Sequence, residues 1–313
     1  MVLITGAGGF IGGALVQYLS RFYTVRALVR YLPVPSNSSI KFVAGFDLSI
    51  NTNLSEIFAE VDFVVHCAAR VHVMYESAKD PLEEFRRINV DATVNLAKQA
   101  ASMGVKRFIY LSSIKVNGEF TECGHPFNAD DVPAPEDPYG ISKFEAEEAL
   151  RQIANDTGME VVIIRPPLVY GPGVKANFYS MMSWLRRGVP LPLGALTQNK
   201  RSMVALGNLV DLITVCLSHP AAANQTFLVS DGEDLSTTDL LQRTATALCV
   251  NARLFAVPPM LLKLLAKLLG KEAVYQRLCG SLQIDMTKTQ QLLNWRPPLS
   301  VQNGLRLAAR GDQ

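Results

Sequence analysis

Metal-ligating residues are scarce in this chain. Its 313 residues hold four histidines (His66, His72, His125, His219) in no ligand spacing. Five cysteines (Cys67, Cys123, Cys216, Cys249, Cys279) include no CxxC pair. No zinc site is expected, and an odd set of scattered thiols reads as reduced, mostly buried side chains of a cytoplasmic protein. An excess of one charge is also missing: 30 basic against 28 acidic residues leave +2. That balance argues against nucleic acid or an anionic membrane as partner and leaves room for a local basic cluster around a small anion. No apolar run approaches the ~18 residues of a spanning helix. The opening MVLIT has no basic region before it and runs straight into glycines, so it reads as a strand, not a signal peptide. Repeats and low-complexity stretches are absent, and the length suits one large core or a main domain with a smaller one attached.

What is present begins with glycine. Val2 to Thr5 is a short apolar strand, and TGAGGFIG follows at Thr5–Gly12, with glycines at Gly6, Gly9 and Gly12. The next residues are amphipathic, with Phe10, Ile11, Leu15 and Leu19 on one side, which predicts strand, tight turn, helix. Glycine permits the sharp turn and lets a pyrophosphate approach the N–H groups at the helix start. A glycine-rich turn that binds nothing is the alternative. The second strand, Tyr23 to Val29, ends at Arg30, 18 residues past Gly12, and no carboxylate occurs between it and Asp47. An acidic residue about 20 positions on holds the ribose of NAD, whereas an arginine there accepts a 2′-phosphate. Arg30 therefore favours NADP(H) over NAD, unless it is only an exposed strand-end arginine.

Alternation then continues. Ile40–Ala44 and Val61–Cys67 read as strands, the latter ending in the small residues Ala68 and Ala69 before Arg70. Leu82–Met103 reads as one long helix carrying Asn89, and Arg107–Leu111 as a strand closed by Ser112 and Ser113. Such a pattern predicts an α/β fold with a doubly wound parallel sheet. Tyr139 and Lys143, four apart at a helix start, share one helix face. A phenol is a poor base with its pKa near about 10, and a neighbouring ammonium favours the phenolate. With Ser113 to bond the same substrate oxygen, the set is suited to moving a proton beside a hydride. Tyr-x-x-x-Lys alone is common by chance; behind a glycine turn and a serine pair it carries weight.

Together TGAGGFIG, Asp47-Leu48, LSS at Leu111–Ser113, YGISK at Tyr139–Lys143 and RPPLVYGPG at Arg165–Gly173 resemble the extended short-chain dehydrogenase/reductases, in their nucleotide-sugar epimerase/dehydratase group. Within it the chain looks most like bacterial UDP-4-keto-sugar reductases of the UDP-N-acetylquinovosamine dehydrogenase kind. The resemblance implies a Rossmann-type dinucleotide-binding domain over residues 1–165. A smaller C-terminal substrate-binding lobe over 166–313 follows, with a possible chain crossover back to the sheet. It implies Tyr139 as acid/base, Ser113 on the sugar oxygen, and Lys143 on the nicotinamide ribose, lowering the tyrosine's pKa. Asp47 with Leu48, Ala68, Ala69, Asn89 and Pro166 fall on cofactor contacts. Asn177, Phe178, Pro192, Arg201 and Arg277 fall on the nucleotide sugar, Arg201 with a planar fork for phosphate oxygens. The same resemblance implies a homodimer through the Leu82–Met103 helix and the helix carrying Tyr139.

Departures from the group's patterns narrow the activity. Dehydratases place an Asp-Glu pair where Ile114 and Lys115 stand, so dehydration is not expected. Arg30 tilts the expectation from an epimerase retaining NAD toward a reductase using exchanging NADP(H). The expected substrate is a UDP-linked (amino)hexose of surface-polysaccharide (O-antigen) synthesis. A 4-epimerase and a non-catalytic dinucleotide sensor or scaffold remain the alternatives. Asn208 replaces an aspartate common in the group. Finally, PPMLLKLLAKLLGK at 258–271 predicts a leucine-rich helix packed on the lobe, with an interfacial helix on a membrane surface as the other possibility.

Overall fold

A computed structural model of the chain describes residues 1–30, 40–45, 52–71, 80–122 and 124–311. Its first half alternates strand and helix: β1 (Val2–Thr5), α1 (Phe10–Leu19), β2 (Val25–Val29), β3 (Ile40–Ala44) and β4 (Phe63–His66). Next come α2 (Pro81–Arg86), a π-helical stretch Arg87–Asp91, α3 (Ala92–Ser102), β5 (Arg107–Leu111), α4 (Pro138–Thr157) and β6 (Glu160–Arg165). The second half holds β7 (Leu168–Tyr170), α5 (Ala176–Arg186), β8 (Met203–Ala205), α6 (Leu206–Ser218) and β9 (Thr226–Leu228). It closes with α7 (Thr237–Ala247), α8 (Pro259–Leu268), α9 (Glu272–Cys279), α10 (Thr287–Leu293) and α11 (Val301–Arg310).

Among the described residues the main sheet has seven parallel strands in the order β3-β2-β1-β4-β5-β6-β9. This is the doubly wound Rossmann-like α/β fold. The strands are β-branched and apolar because both faces are covered. Val2 and Ile4 of β1 join a core with α1 and α6, while Leu3 between them joins the core under α3 and α4. β5 divides the same way, Ile109 to one side and Phe108 and Tyr110 to the other. Each such fully buried side chain contributes about 1.5–3 kcal/mol. β9 pairs with β6, so the chain returns to the main sheet after leaving it at Arg165. The small second sheet pairs β7 with β8.

The topology reverses between β1 and β4, and ligands of open α/β sheets bind outside the strand ends at that reversal. Gly6 sits there at φ +65°, and a Cβ on it would lie 2.7 Å from the Ala68 nitrogen. A Cβ on Gly12 would lie 2.2 Å from the Gly6 carbonyl oxygen, so only glycine lets α1 press against the turn.

Three expectations need correction. The helix expected over Leu82–Met103 is broken by the π-helical stretch, which holds Asn89. The 258–271 segment forms α8, yet no residue of α8 is buried. It packs on α9, with Leu261, Leu264, Leu265 and Leu268 exposed and Leu262 half-buried. Nor are the thiols mostly buried: of the four described, Cys216 is buried, Cys67 and Cys279 are half-buried, and Cys249 is exposed.

Candidate active site

Ser113, Tyr139 and Lys143 converge where β5 ends and α4 begins. Ser113 caps a short 3-10 turn, Ile114–Val116, its Oγ accepting from the Lys115 N–H at 3.3 Å. That turn is tied to β6, because the Ile114 N–H donates to the Pro166 carbonyl at 3.0 Å. α4 starts with Asp137 as N-cap, accepting from the Gly140 N–H at 2.6 Å, and with Pro138 at its first position. This start fixes where Tyr139 leaves the helix, and Lys143 follows one turn on.

The electrostatics of the pair depart from the expectation. Tyr139 is not lowered: loss of water around it, then the Asp137 charge, push its phenol up to about 12, against a hydrogen bond with Ser113. Burial brings Lys143 down to about 7, partly opposed by Glu147. At neutral pH the phenol therefore keeps its proton, and Lys143, its own charged form disfavoured by burial, does not reverse the shift. Tyr139 also meets the Phe85 ring edge-on, with centroids 6.0 Å apart.

Asn89 lies 1 % exposed in the π-helical stretch, a rare backbone form that occurs frequently at functional sites. It donates to the Arg70 carbonyl at 3.1 Å and to Ser142 Oγ at 3.0 Å, and accepts from the Arg70 N–H at 2.8 Å. The strand end at Ala68, Ala69 and Arg70 is thereby fastened to α4. Beside it runs a chain of bonds that the sequence did not reveal. The Ala68 N–H meets Thr5 Oγ1 at 3.2 Å, Thr5 meets His66 Nδ1 at 2.7 Å, and His66 Nε2 meets Thr93 Oγ1 at 2.9 Å. Thr93 donates onward to the Asn89 carbonyl at 2.7 Å. Since that hydroxyl donates to a carbonyl, it accepts from His66 Nε2–H, and the Thr5 hydroxyl donates to Nδ1, the arrangement of a neutral ring. Burial agrees, holding His66 down to about 3. The spacing of Thr93, four residues after Asn89 on one helix face, was the available signal.

The glycine turn fits a dinucleotide. Gly9 is the N-cap of α1 and provides no side-chain cap, so the N–H groups opening that helix, from Phe10 onward, suit a phosphate. Nothing lies within 4 Å of a Cβ built on Gly8, which leaves the approach open. Arg30 is exposed at the end of β2. Asp47 and Leu48 lie outside the described residues.

The proposed substrate residues are more scattered. Arg201 donates through Nη1 to the Arg277 carbonyl at 2.9 Å and the Gly280 carbonyl at 3.1 Å, and its partial burial lowers its pKa. Arg277 is exposed on α9, and Asn177 is exposed in the first turn of α5. Pro192 is half-buried beside Leu191, which bridges Leu254. Phe178 is a correction: its side chain is 4 % exposed and stacks on Tyr170 at 5.4 Å, so it packs the lobe's core and does not line an open surface. Asn208 gains a reason. Its amide donates to Asp231 Oδ1 at 2.7 Å and to the Leu299 carbonyl at 2.8 Å, where an aspartate would set two carboxylates together.

A parallel sheet with a glycine turn at its reversal, facing a Ser-Tyr-Lys set, defines an enzyme that works with a nicotinamide dinucleotide. The chain belongs to the NAD dependent epimerase/dehydratase family, whose profile matches residues 2–230. It is 49% identical over 311 residues to a UDP-glucose 4-epimerase of Vibrio cholerae, covering 99% of this chain and 94% of that one. A UDP-glucuronic acid 4-epimerase from Bacillus cereus, solved with UDP-glucuronic acid and NAD, superposes with TM-score 0.80 at 22% identity, over 99% of this chain and 98% of that one. RMD from Pseudomonas aeruginosa, solved with NADPH, gives TM-score 0.75 at 23% identity, again over 99% and 98%. Those two likenesses concern the fold.

Proposed function

We propose that this protein is an NADP(H)-dependent oxidoreductase acting at C4 of a UDP-linked (amino)hexose. Its role is reduction of a UDP-4-keto-6-deoxy-hexosamine for surface-polysaccharide synthesis in the cytoplasm. The observation that carries the reading is the convergence of Ser113, Tyr139 and Lys143 where β5 ends and α4 begins, with the buried Tyr139 phenol holding a proton to give. When bound, the dihydronicotinamide supplies the hydride to the ketone carbon. Tyr139 Oη gives its proton to the C4 oxygen, and the Ser113 hydroxyl bonds that oxygen as negative charge develops. Lys143 binds the nicotinamide ribose and supplies positive charge as the phenol is spent. The turn at Gly6, Gly9 and Gly12, the N–H groups of Phe10 and Ile11, and Arg30 hold the dinucleotide. Ala68, Ala69, Asn89 and Pro166 frame it. Residues 166–313, with Asn177, Pro192, Arg201 and Arg277, supply the nucleotide-sugar site, and the α3 and α4 faces a homodimer contact.

Two features speak against dehydration. Ile114 is 4 % exposed in the core, and Lys115 is committed to ion pairs with Glu119 at 2.8 Å and Asp137 at 2.6 Å. The Vibrio cholerae relative favours a second reading, 4-epimerisation of a UDP-hexose with retained NAD. Purified protein separates the two. The reductase reading predicts stoichiometric NADPH oxidation with a UDP-4-keto-6-deoxy-hexosamine and no dinucleotide carried through purification. Interconversion of UDP-glucose and UDP-galactose by protein that retains NAD would overturn it.

A further inference from the structure

The arm formed by α8 and α9 carries a surface that the catalytic reading leaves unused. Leu261, Leu264, Leu265 and Leu268 recur at i, i+3, i+4 and i+7, the spacing that turns one helix stripe toward a core. Here the stripe faces outward, with Leu264 53% and Leu268 74% exposed and Met260 beside it at 86%. Leu262 and Ala266, on the adjoining side, are half-buried, and α8 packs on α9. Scattered single leucines on a surface need no explanation, but a continuous apolar stripe does.

Charge decides what covers it. Lys263, Lys267 and Lys271 follow at intervals of four, and residues 258–271 contain no aspartate or glutamate. From 258 to 284 the sole acid is Glu272, against four basic residues once Arg277 is included. Two copies meeting stripe to stripe about a two-fold axis would bring these cations together with almost nothing to neutralise them. Anionic lipid headgroups match them. Leucines beside lysines on one helix suit the bilayer interface, where the apolar side chains enter the acyl boundary and the ammonium groups stay among phosphates. The near-neutral total charge conceals this local excess.

We propose that α8 and α9 dock this protein reversibly on an anionic bilayer surface. No helix among the described residues is long and apolar enough to cross a membrane, so the contact is peripheral. No Trp or Phe occurs in 258–271, so insertion is shallow and binding leans on charge. The arm is bonded to the lobe. The Arg277 and Gly280 carbonyls accept from Arg201, and the Leu278 carbonyl accepts from Thr237 Oγ1. Docking therefore holds the side of the protein that bears Arg201 toward the lipid.

The test is co-sedimentation of the full-length protein with vesicles of phosphatidylcholine, with and without phosphatidylglycerol. The expected result is binding to the anionic vesicles only, weakened by salt and by about fivefold for each lysine neutralised in Lys263→Gln and Lys267→Gln. Leu264→Asp with Leu268→Asp abolishes it, while the melting temperature and dinucleotide binding stay at wild-type values because these positions are exposed. Failure of the wild type to bind anionic vesicles overturns the proposal, as does binding that the variants leave intact. A dimer in sedimentation velocity that the leucine variants split, without vesicle binding, assigns the face to a second copy and overturns it too.

Discussion

Lys143 holds its ammonium 4.2 Å from the centre of the Tyr110 ring, and both side chains are almost wholly buried. A cation over a desolvated aromatic face gains up to about 2 kcal/mol, which offsets part of the cost that burial imposes on the charge. We predict that Tyr110→Leu lowers the lysine's pKa further from about 7, by roughly one unit. Catalysis that needs the ammonium is lost as pH rises through that pKa, so the alkaline limb of kcat/KM moves to lower pH. Tyr110→Phe keeps the ring and leaves the limb in place. It also removes a buried hydroxyl that has no hydrogen-bond partner, so its stability should equal or exceed wild type. A pH–rate profile for the three proteins checks both expectations.

His66 gives a stability signature in acid. Its folded pKa, about 3, lies below the ordinary 6.5 because the ring is buried and must stay neutral. The unfolded chain therefore binds an extra proton between those values, and stability falls as pH drops through the window. Between pH 6.5 and 4.5 this one group costs about 2 kcal/mol. We predict that His66→Gln, although less stable at pH 7 for lack of the Thr5–Thr93 bridge, shows a shallower decline over that range. Urea unfolding at several pH values measures the difference; parallel declines would contradict the role given to His66.

The buried pair of Glu147 and Arg165 ties α4 to β6 behind the site. Arg165 donates through Nε at 2.9 Å and Nη2 at 2.6 Å, while Ser112 also donates to Glu147 and Asn117 accepts from Arg165. Breaking a buried pair from one side strands a charge at a cost of about 3–5 kcal/mol. Arg165→Met and Glu147→Leu should each be that costly, whereas the double variant should cost far less than their sum. A double-mutant cycle by denaturant unfolding reads the coupling.

Much of this architecture was legible in the sequence, for physical reasons. Strands buried on both faces are largely apolar, so β1 and β5 stood out, and the glycines at 6 and 12 marked a turn that no other residue fits. The Ser113–Tyr139–Lys143 grouping was readable because a cap, a proline and a four-residue interval fix its helix. What escaped were features that depend on distant partners. The π-helical stretch at Asn89 answers to Arg70 and Ser142, not to local propensity. Periodicity showed that α8 has an apolar stripe without showing whether anything covers it. Burial reversed the expected effect on Tyr139, because desolvation is a property of the surroundings and not of the Tyr-x-x-x-Lys spacing.

Replacement of Tyr139 by phenylalanine tests the account most directly, since it keeps the ring and its packing on Phe85 and removes only the proton. In NADPH-linked turnover of a UDP-4-keto-6-deoxy-hexosamine, we predict a fall in kcat of about 10²–10⁴-fold, with NADPH binding and melting temperature retained. Wild-type turnover by Tyr139→Phe would contradict the account.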